Sequence, residues 1–186
     1  MPLTYTLILL SRYEQENVIA TKRSGRITAG LFGWMCAAGV GELTDVGEGR
    51  FTSDKYVEIL DEVLLPSVQA LLFPGRTPFS LLQDNSPIHT GRVVRTWFEE
   101  HPQITVLPHP PSSPDLNPIE HIWAAMTRLC GEHDGRRARG TVVRSALRAW
   151  EDLRRPEGQC LAESLVMSMR TRLNDVLAAG GGYTKY

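Results

Sequence analysis

The chain has 186 residues, the length of one domain, and 42% of them are hydrophobic, which is enough to build a buried core. Its 20 basic and 21 acidic residues leave a formal charge of -1, so no overall positive field exists to hold nucleic acid. Any DNA affinity must therefore come from local patches or from a part outside this chain. Three scattered cysteines without metal-ligand spacing exclude a disulfide framework and a zinc site, and we expect them to be buried in a reducing compartment.

Neither a membrane span nor a secretion signal is visible in the sequence. The longest early apolar run, TLILL at 6–10, is far shorter than the roughly 20 residues that a helix needs to cross a bilayer. It also lacks a basic start and a small-residue cleavage site. We therefore expect a nuclear or cytoplasmic protein that is not secreted and has no membrane partner.

Strand patterns dominate the start of the chain. LTYTLILL at 3–10 and VIATKR at 18–23 each predict a strand, and 27–46 predicts a hairpin around Gly39 and Gly41. A second group of elements follows the hairpin and combines helices with short buried strands. The pattern as a whole predicts a mixed α/β layer arrangement.

Helices become more frequent towards the end of the chain. We expect Ser53 to cap a helix that ends at Pro66. Later helices are predicted on the spacing of their apolar residues at 91–100, 119–130, 142–153 and 161–177, with short strands at 78–84 and 104–107. Their buried stripes are expected to include Val93, Leu129 and Leu147. We expect residues 1–130 to form the core, and residues 131–186 to form a helical part of the same domain.

A rigid loop precedes the helix predicted at 119–130. Its prolines, which fix φ and remove backbone donors, are Pro110, Pro111, Pro114 and Pro118. Asn117 suits the N-cap position, and Glu120 falls in the first turn. Glu120 then has two interpretations: it completes a capping pattern, or it is a carboxylate delivered in a fixed direction for chemistry.

Asp84 is a second candidate because it ends a predicted buried strand. Binding sites in open α/β sheets collect at the carboxyl ends of strands, although Asp84 and Asn85 before Pro87 also suit a simple turn. One helix, one strand and the rigid loop return the chain from Asp84 to the same sheet edge at Glu120. Two carboxylates there suit a hard cation such as Mg2+, and a pair of such ions supports phosphodiester chemistry.

Two motifs carry a family resemblance. LLQDNSPIHT and HPPSSPDLNPIEHIW resemble the Q-D-N-x-P-x-H and P-P-x-S-P-D-L-N-P-I-E-x-x-W motifs of the catalytic domain of Tc/mariner DNA transposases. The similarity extends over about 26–186 and includes the closing segment SMRTRLNDVLAAGGGYTKY. It implies an RNase H-like mixed sheet flanked by helices, with C-terminal helices. It also implies DNA cleavage and strand transfer with Mg2+ (or Mn2+) ions held by three carboxylates.

The resemblance assigns roles to individual residues. Asp84 corresponds to the second catalytic, metal-binding carboxylate and Glu120 to the third, with Asn85 and His89 as supporting residues of the site or the DNA contact. Asp115 and Asn117 match the loop motif, where we expect them to serve as turn and cap. The implied partners are DNA, either transposon ends or target, and a second copy of the chain in a homodimer.

The first carboxylate of the family is not found. Its strand should end in a segment like F-S-D-E-S, but the corresponding LILLSRYEQE at 7–16 has no aspartate, and Glu14 or Glu16 would have to substitute. The family's helix-turn-helix modules are also missing from this chain, which we expect to be N-terminally truncated. Arg170 replaces a proline of the closing motif.

Three hypotheses follow. The chain is an active metal-dependent endonuclease and strand-transfer domain, a catalytically dead nucleic-acid-binding remnant, or a protein-interaction module. In the third hypothesis, a basic surface binds acidic partners or DNA. It would be formed by Arg136, Arg137, Arg139, Arg144, Arg148, Arg154 and Arg155. We expect a transposase-derived domain with impaired activity, because a two-metal mechanism loses a shared ligand.

Overall fold

The computed structural model describes the backbone of residues 6–12 and the whole of residues 29–71, 78–111, 113–131 and 138–180. The strands are β1 (Thr6–Arg12), β2 (Leu31–Cys36), β3 (Gly39–Asp45), β4 (Phe79–Leu82) and β5 (Ile104–Leu107). The helices are α1 (Ser53–Ile59), α2 (Leu65–Leu71), α3 (Arg92–Glu100), α4 (Ile119–Cys130), α5 (Arg139–Leu153) and α6 (Pro156–Ala178). A π-helical segment (Leu60–Leu64) joins α1 to α2, and a 3-10 helix (Pro114–Leu116) precedes α4.

The five strands form one mixed sheet in the order β3-β2-β1-β4-β5. β1 is the central strand: it pairs antiparallel with β2 and parallel with β4, and β5 extends the parallel half. In the β1–β4 register, Ile8 lies opposite Leu82. Because β4 and β5 run in the same direction, their carboxyl ends meet at one edge of the sheet.

Helices cover both faces of the sheet. Successive residues of a strand point to opposite sides, so the buried apolar residues of one strand contribute to two separate cores. In β2, Phe32 and Trp34 belong to one core and Leu31 and Met35 to the other. We call the cluster on the α1, α2 and α3 side the α1 core, and the cluster on the α4, α5 and α6 side the α4 core. The α1 core contains Phe32, Trp34, Cys36, Tyr56, Leu60, Leu64, Val68, Phe79, Leu81, Val94, Trp97 and Ile104. The α4 core contains Leu31, Met35, Val40, Leu43, Leu82, Ile119, Ile122, Trp123, Ala125, Met126, Ala146, Ala149, Trp150, Leu153, Ala162 and Leu165.

The α4 core joins the C-terminal helices to the sheet. Trp150 of α5 is buried, lies 5.2 Å from Trp123 between ring centroids, and donates its indole N–H to the carbonyl of Gly41. Gly33 leaves room for both rings, since an added Cβ would come within 3.1 Å of each. We therefore propose that residues 131–186 belong to the same domain as residues 1–130.

The structure corrects the predicted boundaries of the first helix. Thr52, not Ser53, is its N-cap and accepts from the backbone N–H of Lys55, whereas the Ser53 hydroxyl donates to the carbonyl of Ile88. The helix also continues beyond Pro66 to the end of α2. The π-helical segment directly before this proline explains the continuation, because a wider turn accommodates a residue that lacks the N–H of a regular α-helix.

Some predicted burial is also wrong. Val93, Leu129 and Leu147 are 38%, 53% and 38% exposed, and none of them belongs to the buried residues of the two cores. Cys160 is exposed, contrary to the expectation for the cysteines. All four tryptophans lie in the cores. The strand predicted at 18–23 lies outside the described residues.

No helix in the described parts of the chain combines the length and apolar character that a bilayer crossing requires.

We predict that Gly41→Ala strongly destabilises the protein. A Cβ at this position would lie 1.9 Å from Cε2 of Trp34, so the ring must move within a filled core. The expected loss is about 3 kcal/mol or more in urea unfolding. Gly140→Ala in α5 is the matched control: an added Cβ would lie 3.5 Å from the flexible tip of Arg144, and alanine raises helix propensity. If the two variants are equally stable, the close contact between Gly41 and the Trp34 ring does not limit the residue at position 41.

Arg139, at the start of α5, forms an ion pair with Asp45 at the end of β3 and also donates to the carbonyl of Gly47. The hydrogen bond from Arg139 is the main cause that lowers the pKa of Asp45, and burial opposes it. A carboxyl whose pKa is lower in the folded state stabilises the fold above its unfolded pKa, and loses that contribution as pH falls through the folded pKa.

We therefore predict that Asp45→Asn is less stable than the unchanged chain at pH 7, and that the difference becomes smaller as the pH falls below the ordinary carboxyl pKa towards the lower pKa of the folded state. Urea unfolding at pH 7 and pH 3 measures both values. Asp54→Asn, in the first turn of α1, is a control without this ion pair. A difference that persists unchanged at pH 3 would contradict the role of the Asp45 charge.

Candidate active site

Asp84 lies two residues beyond the end of β4, with 29% of its side chain exposed. Its Oδ1 atom accepts the backbone N–H of Ser86 at 3.1 Å and lies 2.7 Å from Nδ1 of His89. Within the described residues, no hydrogen bond reaches the Oδ2 atom. One oxygen of the carboxylate is therefore held in place, while the other accepts no hydrogen bond from the described residues.

The surroundings of Asp84 favour its charged form. Burial alone would raise its pKa, but the hydrogen bond and charge of His89, the N–H of Ser86 and the charge of His109 together lower it. Since an ionised carboxylate only accepts hydrogen bonds, Nδ1 of His89 must be the donor. Asp84 is thus a carboxylate at neutral pH, the form in which it binds hard cations.

His89 is itself fixed by buried neighbours. It is only 2% exposed, and its ring lies 4.5 Å from that of Tyr56 between centroids. The Tyr56 hydroxyl donates to Oε1 of Gln83 at 2.6 Å, and Nε2 of Gln83 donates to the His89 carbonyl. Sequence reasoning missed Tyr56 and Gln83 as supports. Gln83 stands directly before Asp84 in the motif, but Tyr56 gave no signal beyond its place on an apolar stripe.

Asn85 connects the end of β4 to the start of the proline loop. It is exposed, and its Nδ2 donates to the backbone carbonyl of His109, which follows β5. His109 is 9% exposed, and its charge contributes to the low pKa of Asp84. Asn85 thus ties the end of β4 to the loop that follows β5, and its supporting role in the site stays a prediction. Nothing in the sequence connected His109 with Asp84, whereas in the structure its charge acts on that carboxyl.

Glu120 lies in the first turn of α4 and is half-buried. Its backbone N–H donates to the carbonyl of Asn117 at 3.2 Å. Its neighbour Ile119 is fully buried in the α4 core, which also contains Leu82, two residues before Asp84. Each candidate acid therefore follows, within two residues in the sequence, a residue of the α4 core.

The expected role of Asn117 as N-cap is wrong. Pro118 occupies that position in a helical conformation, and no side chain caps α4. Asn117 instead ends the 3-10 helix in an extended conformation, and its buried Oδ1 atom has no hydrogen-bond partner among the described residues. Asp115 lies within the 3-10 helix, and its backbone carbonyl accepts from Arg172 of α6.

The structure does not supply a third carboxylate in the described residues. Extending the β1–β4 register by two residues places Leu10 level with Asp84, and none of the seven residues of β1 is acidic. Glu14 and Glu16 lie outside the described residues. In the described part of the chain, no three histidine, cysteine or carboxylate side chains are grouped closely enough to hold a metal ion.

Comparison with known proteins decides the family. The model of the DDE superfamily endonucleases matches residues 12–139. The chain belongs to this family. The predicted resemblance to Tc/mariner transposases is confirmed by the relatives that share its sequence.

These relatives are longer than the chain. It is 31% identical to the Transposable element Tc1 transposase of Caenorhabditis elegans over 178 residues, which cover 95% of this chain and 61% of the relative. It is 32% identical to the Tcb1 transposase of Caenorhabditis briggsae over 180 residues, again 95% of this chain and 61% of the relative. The chain thus spans less than two thirds of their length.

Solved structures show the same fold. The Mos1 transposase catalytic domain, determined with raltegravir and Mn, has a TM-score of 0.77 at 20% identity, covering 97% of this chain and 84% of that one. The Mos1 mariner paired end complex with Mn has a TM-score of 0.76 at 22% identity, covering 98% of this chain and 56% of that one. The predicted RNase H-like fold is therefore confirmed.

We predict that His89→Phe raises the pKa of Asp84. Phenylalanine keeps the ring contact with Tyr56 but removes the donor and the charge, so the raising effect of burial is no longer offset. A pH titration of the side-chain carboxyl carbon by NMR measures the pKa directly. The control is His101→Phe, because His101 stacks on Trp97 and bonds to its carbonyl. An unchanged pKa of Asp84 in His89→Phe would show that another group sets its charge.

Proposed function

We propose that the chain is the catalytic domain of a DDE-type transposase that acts on DNA, and that its DNA cleavage and strand transfer are impaired. The observation that carries the proposal is the pairing of β1 with β4: the position level with Asp84 is occupied by leucine. The proposal is supported by the α4 core, which contains Leu82, two residues before Asp84, and Ile119, directly before Glu120. Two of the family's three carboxylates are thus retained, and the first is absent from its strand.

Oδ2 of Asp84 and the carboxylate of Glu120 would hold a divalent cation, Mg2+ or Mn2+, because such ions prefer oxygen ligands. When bound, such an ion stabilises the attacking and leaving oxygens of a phosphodiester. The Mos1 transposase catalytic domain has been solved with Mg and with Mn, which supports the same choice here. His89 would act as a second-layer residue by fixing Oδ1, and Asn85 by fixing the neighbouring loop.

The structure offers less free positive charge than the interaction-module hypothesis assumed. Arg139 pairs with Asp45, Arg154 with Glu42 and Glu151, and Arg155 with Asp152. Ion pairing within the chain reduces what these arginines contribute to a partner surface. DNA is the proposed partner because the similar Mos1 transposase has been solved in a paired-end complex with the left transposon end. The homodimer remains a prediction, which light scattering of the purified chain tests.

Cleavage of supercoiled plasmid with Mg2+ or Mn2+ tests the proposal through a restored acid. We predict that the unchanged chain nicks no more than Asp84→Ala, and that Leu10→Asp gains metal-dependent nicking because it places a carboxylate level with Asp84. Leu10→Asn is the matched control, since it has a similar shape without the charge.

The combined variant Leu10→Asp with Asp84→Ala should lose the gained activity. Nicking by the unchanged chain that disappears in Asp84→Ala would contradict the impairment and indicate another third ligand. The absence of any gain in a folded Leu10→Asp protein would contradict the register argument.

A further inference from the structure

Arg172 of α6 is buried, although it carries a charge. Only 2% of it is exposed, while its neighbours Thr171 and Leu173 face solvent. Burying a guanidinium is unfavourable unless its N–H groups are bonded. The groups that it binds therefore indicate what this arginine does.

Its hydrogen bonds lead to the loop and helix that carry Glu120. Nε donates to the hydroxyl of Ser168, one turn earlier in α6. Nη1 donates to the backbone carbonyl of Asp115 at 2.8 Å and lies 3.2 Å from Nε2 of His121. Since arginine has no acceptor, Nε2 of His121 must accept in the second contact. One nitrogen thus connects the 3-10 helix to the first turn of α4.

The local sequence does not hold this junction by itself. α4 starts without a side-chain cap, and the expected cap residue, Asn117, turns its Oδ1 to a buried position without a partner in the described parts of the chain. A helix start without a cap frays more easily. The restraint comes from α6, 57 residues further along the chain from Asp115.

We propose that Arg172 is a positioning residue for Glu120, so that α6 is part of the support of the metal site. Its two acceptors bracket Glu120: Asp115 precedes it in the 3-10 helix, and His121 follows it directly. The rigid guanidinium fixes their separation and thereby the direction in which the Glu120 carboxylate leaves α4. The assignment of Glu120 as a ligand rests on the proposed function.

The test compares Arg172→Met and Arg172→Lys with Arg170→Met in the full chain. Arg170 is exposed on the same helix and is therefore the matched control. The first readout is amide hydrogen exchange without metal at Asn117, Glu120 and His121, whose N–H groups are bonded within this junction. We expect exchange at least about tenfold faster in Arg172→Met, an intermediate rate in Arg172→Lys, and no change in the control.

The second readout is Mn2+ affinity by calorimetry. We expect Arg172→Met to weaken binding about 10–100-fold, as for other residues that orient ligands, with partial rescue by Arg172→Lys. If Arg172→Met does not fold, His121→Phe replaces it, because that change removes one acceptor and leaves no new charge.

Unchanged exchange at the junction would overturn the positioning role. The positioning role would also be overturned if Arg172→Met binds Mn2+ as tightly as the unchanged chain does, while Glu120→Gln binds it more weakly. If the unchanged chain binds no Mn2+, the proposed metal site fails instead, and the exchange rates alone decide whether Arg172 holds the junction.

Discussion

The parallel pairing of β4 and β5 beside β1 is the constraint on which the candidate site depends. It brings the ends of both strands to one edge of the sheet, so that Asp84 follows one strand and His109 the other. The Asn85 side chain then ties these two exits together. Without that pairing, nothing in the fold would bring the motif that contains Asp84 close to the loop that follows β5.

The C-terminal helices complete the arrangement at two separate points. Trp150 of α5 bonds to Gly41 and packs between Gly33 and Trp123, which attaches α5 to the antiparallel half of the sheet. Arg172 of α6 bonds to the loop before Glu120, next to the parallel half. The helices thus act on the sheet through packing and on the candidate site through hydrogen bonds.

Patterns that depend on neighbours in the sequence were predictable. ITVL is the strand at 104–107, the hairpin lies around Gly39, and Gly180 follows the last helix with φ of 61°. The motif also identified Asp84 and His89, and the structure bonds them to each other. These features follow from alternation, from glycine geometry and from a motif whose residues are close in the chain.

Features that depend on tertiary contacts were not predictable. The cap at Thr52 rather than Ser53 became clear only because Ser53 bonds to the distant Ile88. α4 starts without a side-chain cap, and the loop before it is instead bonded by Arg172 of the distant helix α6. The Tyr56 ring contacts that of His89 because α1 packs against the face of the sheet that carries the α1 core, a relation that no spacing in the sequence encodes.

Anomalous diffraction from crystals of the full chain grown with Mn2+ tests the central claim most directly. The account predicts one ion, ligated by Oδ2 of Asp84 and by Glu120, with no ligand from β1. Two ions sharing a third carboxylate would contradict the proposed impairment. A map without an ion between Asp84 and Glu120 would contradict the metal site itself.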